Sequence, residues 1–134
     1  MASLLSEKAR TFLQERRFAV LATINAAGTP QLTTMWYLLE DDTIIMNTRS
    51  GRLKYRNILR DPRVSICIED EYSYLTINGT VEVIDNQETA LKDIYRLAVR
   101  YNGEDVAQKQ MAEQFSKEPR ATLRLRCEHI IENI

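Results

Sequence analysis

Asn47-Thr48-Arg49-Ser50-Gly51-Arg52-Leu53-Lys54-Tyr55-Arg56-Asn57-Ile58-Leu59-Arg60-Asp61-Pro62-Arg63-Val64 follows directly on the apolar run Ile44-Ile45-Met46 and carries 6 of the 18 Lys and Arg residues of the chain. A strand that ends in a polar turn and opens a short helix presents free backbone N–H groups, and the helix dipole, toward whatever sits at that N-terminus. The helix is expected from about Gly51 to Arg60, because the residue before Pro62 is pushed out of helical geometry. Spacing sorts its cations. Arg52, Arg56 and Arg60 recur every fourth residue on one stripe, whereas Lys54 and Asn57 lie three apart on another. One group is free to address a ligand while the other meets solvent or a partner. A basic face that is merely solvated is an equally open reading here.

Upstream of this segment the pattern is a meander. Ser3 or Ser6 caps a first helix whose buried stripe is Leu5, Ala9, Phe12 and Leu13. Phe18 to Ile24 reads as a short strand, Asn25 to Pro30 as a turn, and Gln31 to Leu39 as a returning strand rich in Thr, Trp and Tyr. Glu40-Asp41-Asp42 turns the chain into a strand over Thr43–Thr48. Downstream, Arg63 to Glu69 is a strand, and Leu75, Ile77, Val81 and Val83 alternate with Thr76, Asn78, Thr80 and Glu82 in another. Asp85-x-x-Glu88 reads as the cap and box partner of a helix through Tyr101. Asn102-Gly103 breaks it, a second helical stretch follows to about Lys117, and Ala121 to Cys127 alternates as a last strand. About six antiparallel strands with inserted helices predict a mainly β fold, a small closed or partly closed barrel spanning residues 1–134 as one domain.

The chain has 134 residues, 44% hydrophobic and 28% charged, with a net charge of -1. That balance is ordinary for a globular protein, and it argues against a nucleic-acid binder, whose interacting face is broadly basic. The two cysteines, Cys67 and Cys127, stand in apolar-alternating stretches without metal-ligand spacing, as buried free thiols do. No apolar run approaches a membrane span, and the first residues lack the charged start and long apolar stretch of a signal peptide, so a cytoplasmic location is the expectation. The single histidine, His129, has no evident triad partner, no cluster has metal spacing, and no P-loop or GxGxxG occurs. What remains is an anion site with an aromatic set, Trp36, Tyr37, Tyr55, Tyr72 and Tyr74. This combination suits a flat cofactor with a phosphate tail, in which the cofactor carries the chemistry. Trp36 and Tyr37 point to opposite faces of a strand, so one of them is expected in the barrel interior.

Ala22-Thr-Ile-Asn-Ala-Ala-Gly28-Thr-Pro30-Gln31 resembles the opening of the pyridoxamine-phosphate-oxidase-like split-barrel superfamily. Gly51-Arg-Leu-Lys-Tyr-Arg-Asn57-Ile-Leu-Arg-Asp-Pro-Arg63 is similar to the second motif of its flavin/deazaflavin oxidoreductase branch. The resemblance spans about Ala19 to Ile84. It implies a split β-barrel, FMN-binding-like, that forms a homodimer with two cofactor sites at the subunit interface. By position it assigns Asn47, Thr48, Arg52, Lys54 and Asn57 to the phosphate side of the cofactor. Gln31 to Trp36, in particular Gln31, Thr34, Met35 and Trp36, would run along the ring, and Tyr72 and Tyr74 would line the site from the second subunit.

No counterpart of the C-terminal substrate-binding segment of pyridoxamine phosphate oxidases follows Arg126, so that reaction is not expected. The Gly-Arg-x-Lys-x-Arg-Asn form resembles the users of coenzyme F-420 more than those of FMN. F-420 carries a phosphodiester and a polyglutamate tail, which Arg49, Arg56 and Arg60 would serve. The expected function is hydride transfer from reduced F-420 to a small electron-poor organic acceptor, with positioning supplying much of the rate and no catalytic side chain or metal assigned. An FMN-dependent enzyme of the same fold, or a non-catalytic flavin, deazaflavin or haem carrier, stands as the alternative.

Overall fold

A computed structural model describes residues 4–134. The chain runs through α1 (Glu7–Gln14), β1 (Ala19–Ile24), β2 (Pro30–Met35), β3 (Leu38–Glu40), β4 (Thr43–Arg49), α2 (Leu53–Arg60), β5 (Arg63–Asp70), β6 (Ser73–Ile84), α3 (Gln87–Asn102), α4 (Glu104–Glu113), a 3-10 turn (Phe115–Lys117) and β7 (Arg120–Asn133). Alternation along β6 puts Leu75, Ile77 and Val81 inside and Thr76, Asn78 and Thr80 at the surface, as period-2 patterning requires.

All seven strands join one antiparallel sheet in the order β2-β1-β5-β6-β7-β4-β3. β2 and β3 therefore lie at opposite edges, yet only Trp36 and Tyr37 separate them in sequence. Two residues span so short a distance that the edges have to meet there, and the sheet curls into a barrel with a split. The fold is mostly β, a split barrel with helices. The expected strand Gln31–Leu39 is thus two strands, which raises the count from six to seven. Tyr37 closes the seam. Its side chain is fully buried, its hydroxyl donates to the Leu13 carbonyl at 3.0 Å, and its N–H donates to the Tyr101 hydroxyl at 3.1 Å.

The main core, with Leu21, Ile66, Ile68, Leu75, Ile77 and Leu125 at its centre, fills the barrel. Each such buried side chain contributes roughly 1.5–3 kcal/mol relative to exposure. A second cluster packs α3 and α4 on β3 and β4 through Leu38, Ile45, Ile94, Leu97, Ala98 and Phe115. Ser6 caps α1, its hydroxyl accepting the Ala9 N–H at 3.0 Å; Ser3 lies outside the described residues. Helix α3 is capped by Asn86, which accepts the Thr89 N–H at 3.0 Å. This corrects the expectation for Asp85, whose carboxylate instead accepts the Tyr55 hydroxyl. The last strand runs on past Cys127 to Asn133, because β6 continues beside it down to Tyr74. Of the two cysteines, Cys127 is buried and its thiol is pushed up to about 11, first by burial, while Cys67 is only half-buried on the outer face.

Candidate functional site

The site begins where β4 leaves the sheet. Asn47 and Thr48 are buried at its end, Gly51 turns the chain at φ +88, and α2 starts at Leu53. Among the described residues no side chain caps that first turn, so its N–H groups stay open to a ligand. The Ser50 N–H donates to the Pro119 carbonyl at 2.8 Å, which ties this turn to the entry of β7. Between them lies a cavity of about 220 Å³, lined by Asn47, Thr48, Arg52, Lys54, Phe115 and Arg120 among others.

Charge singles out this cavity. Lys54 is 6% exposed and has no acidic partner among the described residues. Burial pulls its ammonium below the ordinary 10.5, and the neighbouring Arg52 and Arg120 pull it further. Arg120, 8% exposed, is likewise held below its ordinary value by burial, with Glu118 opposing the shift. A buried cation beside two others, with no carboxylate of its own, is costly unless an anion joins it.

Of the residues expected at the phosphate side, Asn47, Thr48, Arg52 and Lys54 converge on this cavity. Asn57 does not. Its amide donates to Thr23 Oγ1 at 3.1 Å and Asn25 Oδ1 at 3.0 Å and accepts from Arg60 at 2.9 Å, so it clips α2 to the end of β1. Arg60 also donates to the Ile24 carbonyl, which makes it part of that clip and not a free surface cation. Asn47 lines the cavity and also holds a second cation there. Its Nδ2 donates to the Ala90 carbonyl at 2.9 Å and its Oδ1 accepts Arg120 Nε at 2.8 Å, so the amide orients Arg120.

The expected ring side disperses. Strand alternation sends Met35 into the core and Thr34 to the outer face. Gln31 is held by Thr23 and Thr33, and Trp36 stacks on Tyr101 with centroids 5.2 Å apart. Their side chains therefore share no single surface, although β2, as an edge strand, leaves one line of backbone groups unpaired. Tyr72 is 92% exposed and Tyr74 pairs with Asn133, at the opposite end of β6 from the strand pairs beside the cavity. Ten residues of strand, about 33 Å, separate Tyr74 from Ile84, so within one chain these tyrosines and Lys54 belong to different places.

Arg120, Glu118 and Phe115 are functional candidates that the sequence reading missed. They lie some sixty residues beyond Lys54, in the stretch that reads only as helix end and strand. The one available cue was Arg120 directly after Pro119 at a strand start. Larger hollows exist: one of about 430 Å³ on the outer sheet face beside His129 and Asn78, and one of about 500 Å³ between α1 and the β5–β6 turn. His129 meets Asn78 at 3.3 Å, and Arg63 and Glu128 have partners in Asp61, Thr80 and Arg126, so neither volume nor its lining presents an unmatched buried charge. Among the described residues, no group of His, Cys, Asp and Glu is placed to hold a metal ion, and no helix is long and apolar enough to cross a membrane.

Residues 5–133 match the family described as pyridoxamine 5'-phosphate oxidase. The chain belongs to that family. Solved structures agree with the assignment. A conserved hypothetical protein, Rv2991 of Mycobacterium tuberculosis, is 28% identical with a TM-score of 0.80, over 96% of this chain and 84% of that one. An F-420 reductase is 25% identical with a TM-score of 0.77, over 96% of this chain and 100% of its own. HutZ, a haem storage protein of Vibrio cholerae, is 21% identical with a TM-score of 0.71 over 96% and 94%, and shares the fold. Structures with differently described roles thus share this one fold.

Proposed function

We propose that this protein is a reductase that binds coenzyme F-420, with its phosphate in the cavity at the start of α2, and transfers hydride to a small electron-poor organic acceptor. The observation that carries the reading is Lys54, a buried ammonium without an acidic partner among the described residues, facing Arg52 and Arg120 across a cavity at a helix N-terminus. Small-molecule pockets run to roughly 300–1,000 Å³. A cavity of about 220 Å³ suits the charged end of a cofactor, and the ring would then lie outside it. When bound, the reduced deazaflavin supplies the hydride; the chain's own task is to anchor and orient it.

FMN is the second reading, and the same cavity would take its phosphate. Arg52 and Arg56 favour F-420: both are exposed without an acidic partner among the described residues, where a diester and carboxylate tail would extend. Homodimerisation belongs to the proposal too. It would bring Tyr72 and Tyr74 of a second subunit toward the site, and it gives an occupant to the outer sheet face that carries Val20, Leu32 and Ile131.

The test is titration of the protein with F-420, FMN and riboflavin at low and moderate salt, followed by turnover of the reduced cofactor. F-420 is expected to bind most tightly, with an advantage that shrinks as salt rises. Lys54→Ala is expected to weaken it by roughly 1–3 kcal/mol. Tighter FMN binding would move the reading to FMN, and binding without turnover of any acceptor would make the protein a carrier.

A further inference from the structure

The entry of β7 supplies the cavity with a cation and a carboxylate that compete with each other. Arg120 is held on two of its three guanidinium nitrogens: Nε donates to Asn47 Oδ1 at 2.8 Å and one terminal nitrogen to Glu118 Oε1 at 2.9 Å. Its plane lies over the Phe115 ring, 4.9 Å from the centroid. The second terminal nitrogen has no hydrogen-bond partner among the described residues. Asn47 cannot turn away, since its Nδ2 is bound to the Ala90 carbonyl, and Gln87 fixes the backbone of Arg120 by accepting its N–H at 2.9 Å. Glu118 is shared: Oε1 takes Arg120 and Oε2 takes Arg49 at 3.2 Å. Four cations, Arg49, Arg52, Lys54 and Arg120, therefore surround the cavity with one carboxylate among them.

We propose that Arg120 is a ligand-contacting cation of this cavity and that Glu118 is its resident counter-ion, competing with an incoming phosphate for Arg120 and so limiting how much negative charge the site rewards. The proposal rests on the reading that the cavity takes a cofactor phosphate. A carboxylate bidding for the same guanidinium penalises a dianionic monoester more than a singly charged diester, because the repulsion scales with ligand charge. Glu118 thereby acts as a specificity-determining residue, against FMN and in favour of a diester-bearing cofactor.

The experiment measures dissociation constants of FMN, F-420 and riboflavin for wild type, Glu118→Gln, Arg120→Gln, Arg120→Lys and Lys54→Ala. Glu118→Gln is expected to tighten FMN by about tenfold, F-420 by only a few-fold, and to leave riboflavin unchanged. Arg120→Gln is expected to weaken both phosphorylated ligands by about tenfold or more, with partial recovery in Arg120→Lys. Opposite signs at the two positions separate ligand competition from a structural pair, since loss of a structural pair weakens binding from either side. If Lys54→Ala weakens FMN and F-420 but Glu118→Gln leaves FMN unchanged or weakens it, this inference falls and the cavity assignment stands. If Lys54→Ala has no effect on either ligand, the cavity assignment falls and this inference with it.

Discussion

At Lys54 the cost of burying a charge makes a pH dependence that can be measured. Burial, then Arg52 and Arg120, hold its ammonium below 10.5, so the charged form is penalised in the folded protein. The penalty is present at neutral pH and is relieved as pH rises through the lowered value toward 10.5, where the unfolded chain binds more protons than the folded one. Tyr37, raised to about 12 first by burial, and Cys127, raised from 9.0 to about 11, act in the other sense. The stability they contribute is whole below their unfolded values and is lost above them. Lys54→Gln leaves both in place, so its difference from wild type isolates the lysine. Denaturant melts at successive pH values are expected to show the variant's advantage shrinking up to pH 10.5; a constant difference would contradict a buried, unpaired charge.

Gly79 is a second residue where a single contact decides. It sits at the register shift between β6 and β7, and a Cβ there would lie 1.9 Å from the Arg126 carbonyl oxygen. Backbone cannot yield as a side-chain tip does. Gly79→Ala is expected to cost upward of about 2 kcal/mol, at or beyond the usual overpacking range. An unchanged melting temperature would mean that the bulge relaxes freely.

Among the elements, the helix starts separate what a cap does from what a neighbouring carboxylate does. Asn86→Ala removes the acceptor for the Thr89 N–H and is expected to cost about 1 kcal/mol, roughly 3 °C in melting temperature. Asp85→Ala removes only an exposed bond from Tyr55 and is expected to cost clearly less. Thermal melts of the two variants check the order, and a reversed order would restore Asp85 as the cap. Helix α2 differs from both α1 and α3 in having no side-chain cap among the described residues. A first turn left open beside Lys54 is what an anion-binding helix start requires.

For the whole molecule, the outer sheet face is a feature left uncovered among the described residues. Register places Leu32, Ala22, Ser65 and Asn78 in one row across it, and Thr34, Val20, Cys67, Thr76 and Ile131 in the next. Leu32 is 63% exposed and Ile131 44%. An exposed, partly apolar face of this kind would suit a two-fold dimer. Sedimentation is expected to give about twice the 15.6 kDa chain mass, and Val20→Glu to give monomers by burying an unpaired charge at the contact. A monomer that still binds cofactor tightly would remove the second subunit from the site.

Sequence by itself determined most of the elements, though not the break of the second strand at Trp36 and Tyr37, and the chemistry of one cluster. Period-2 alternation in β6, the Pro62 stop of α2, and the placing of Lys54 on a different stripe from Arg56 and Arg60 are local consequences of backbone geometry, and they are legible in a few residues each; Arg52, the extended residue before the helix, instead joins Lys54 at the cavity. Tertiary structure alone decided where those side chains lead. Asn57 shares Lys54's stripe but faces Thr23 and Asn25, Met35 and Thr34 part to opposite faces, and Arg120 arrives from the far end of the chain. The reason is closure. A barrel whose edge strands meet through Trp36 and Tyr37 joins segments sixty residues apart, and no local pattern in the sequence encodes which buried cation will find a partner and which will be left for a ligand.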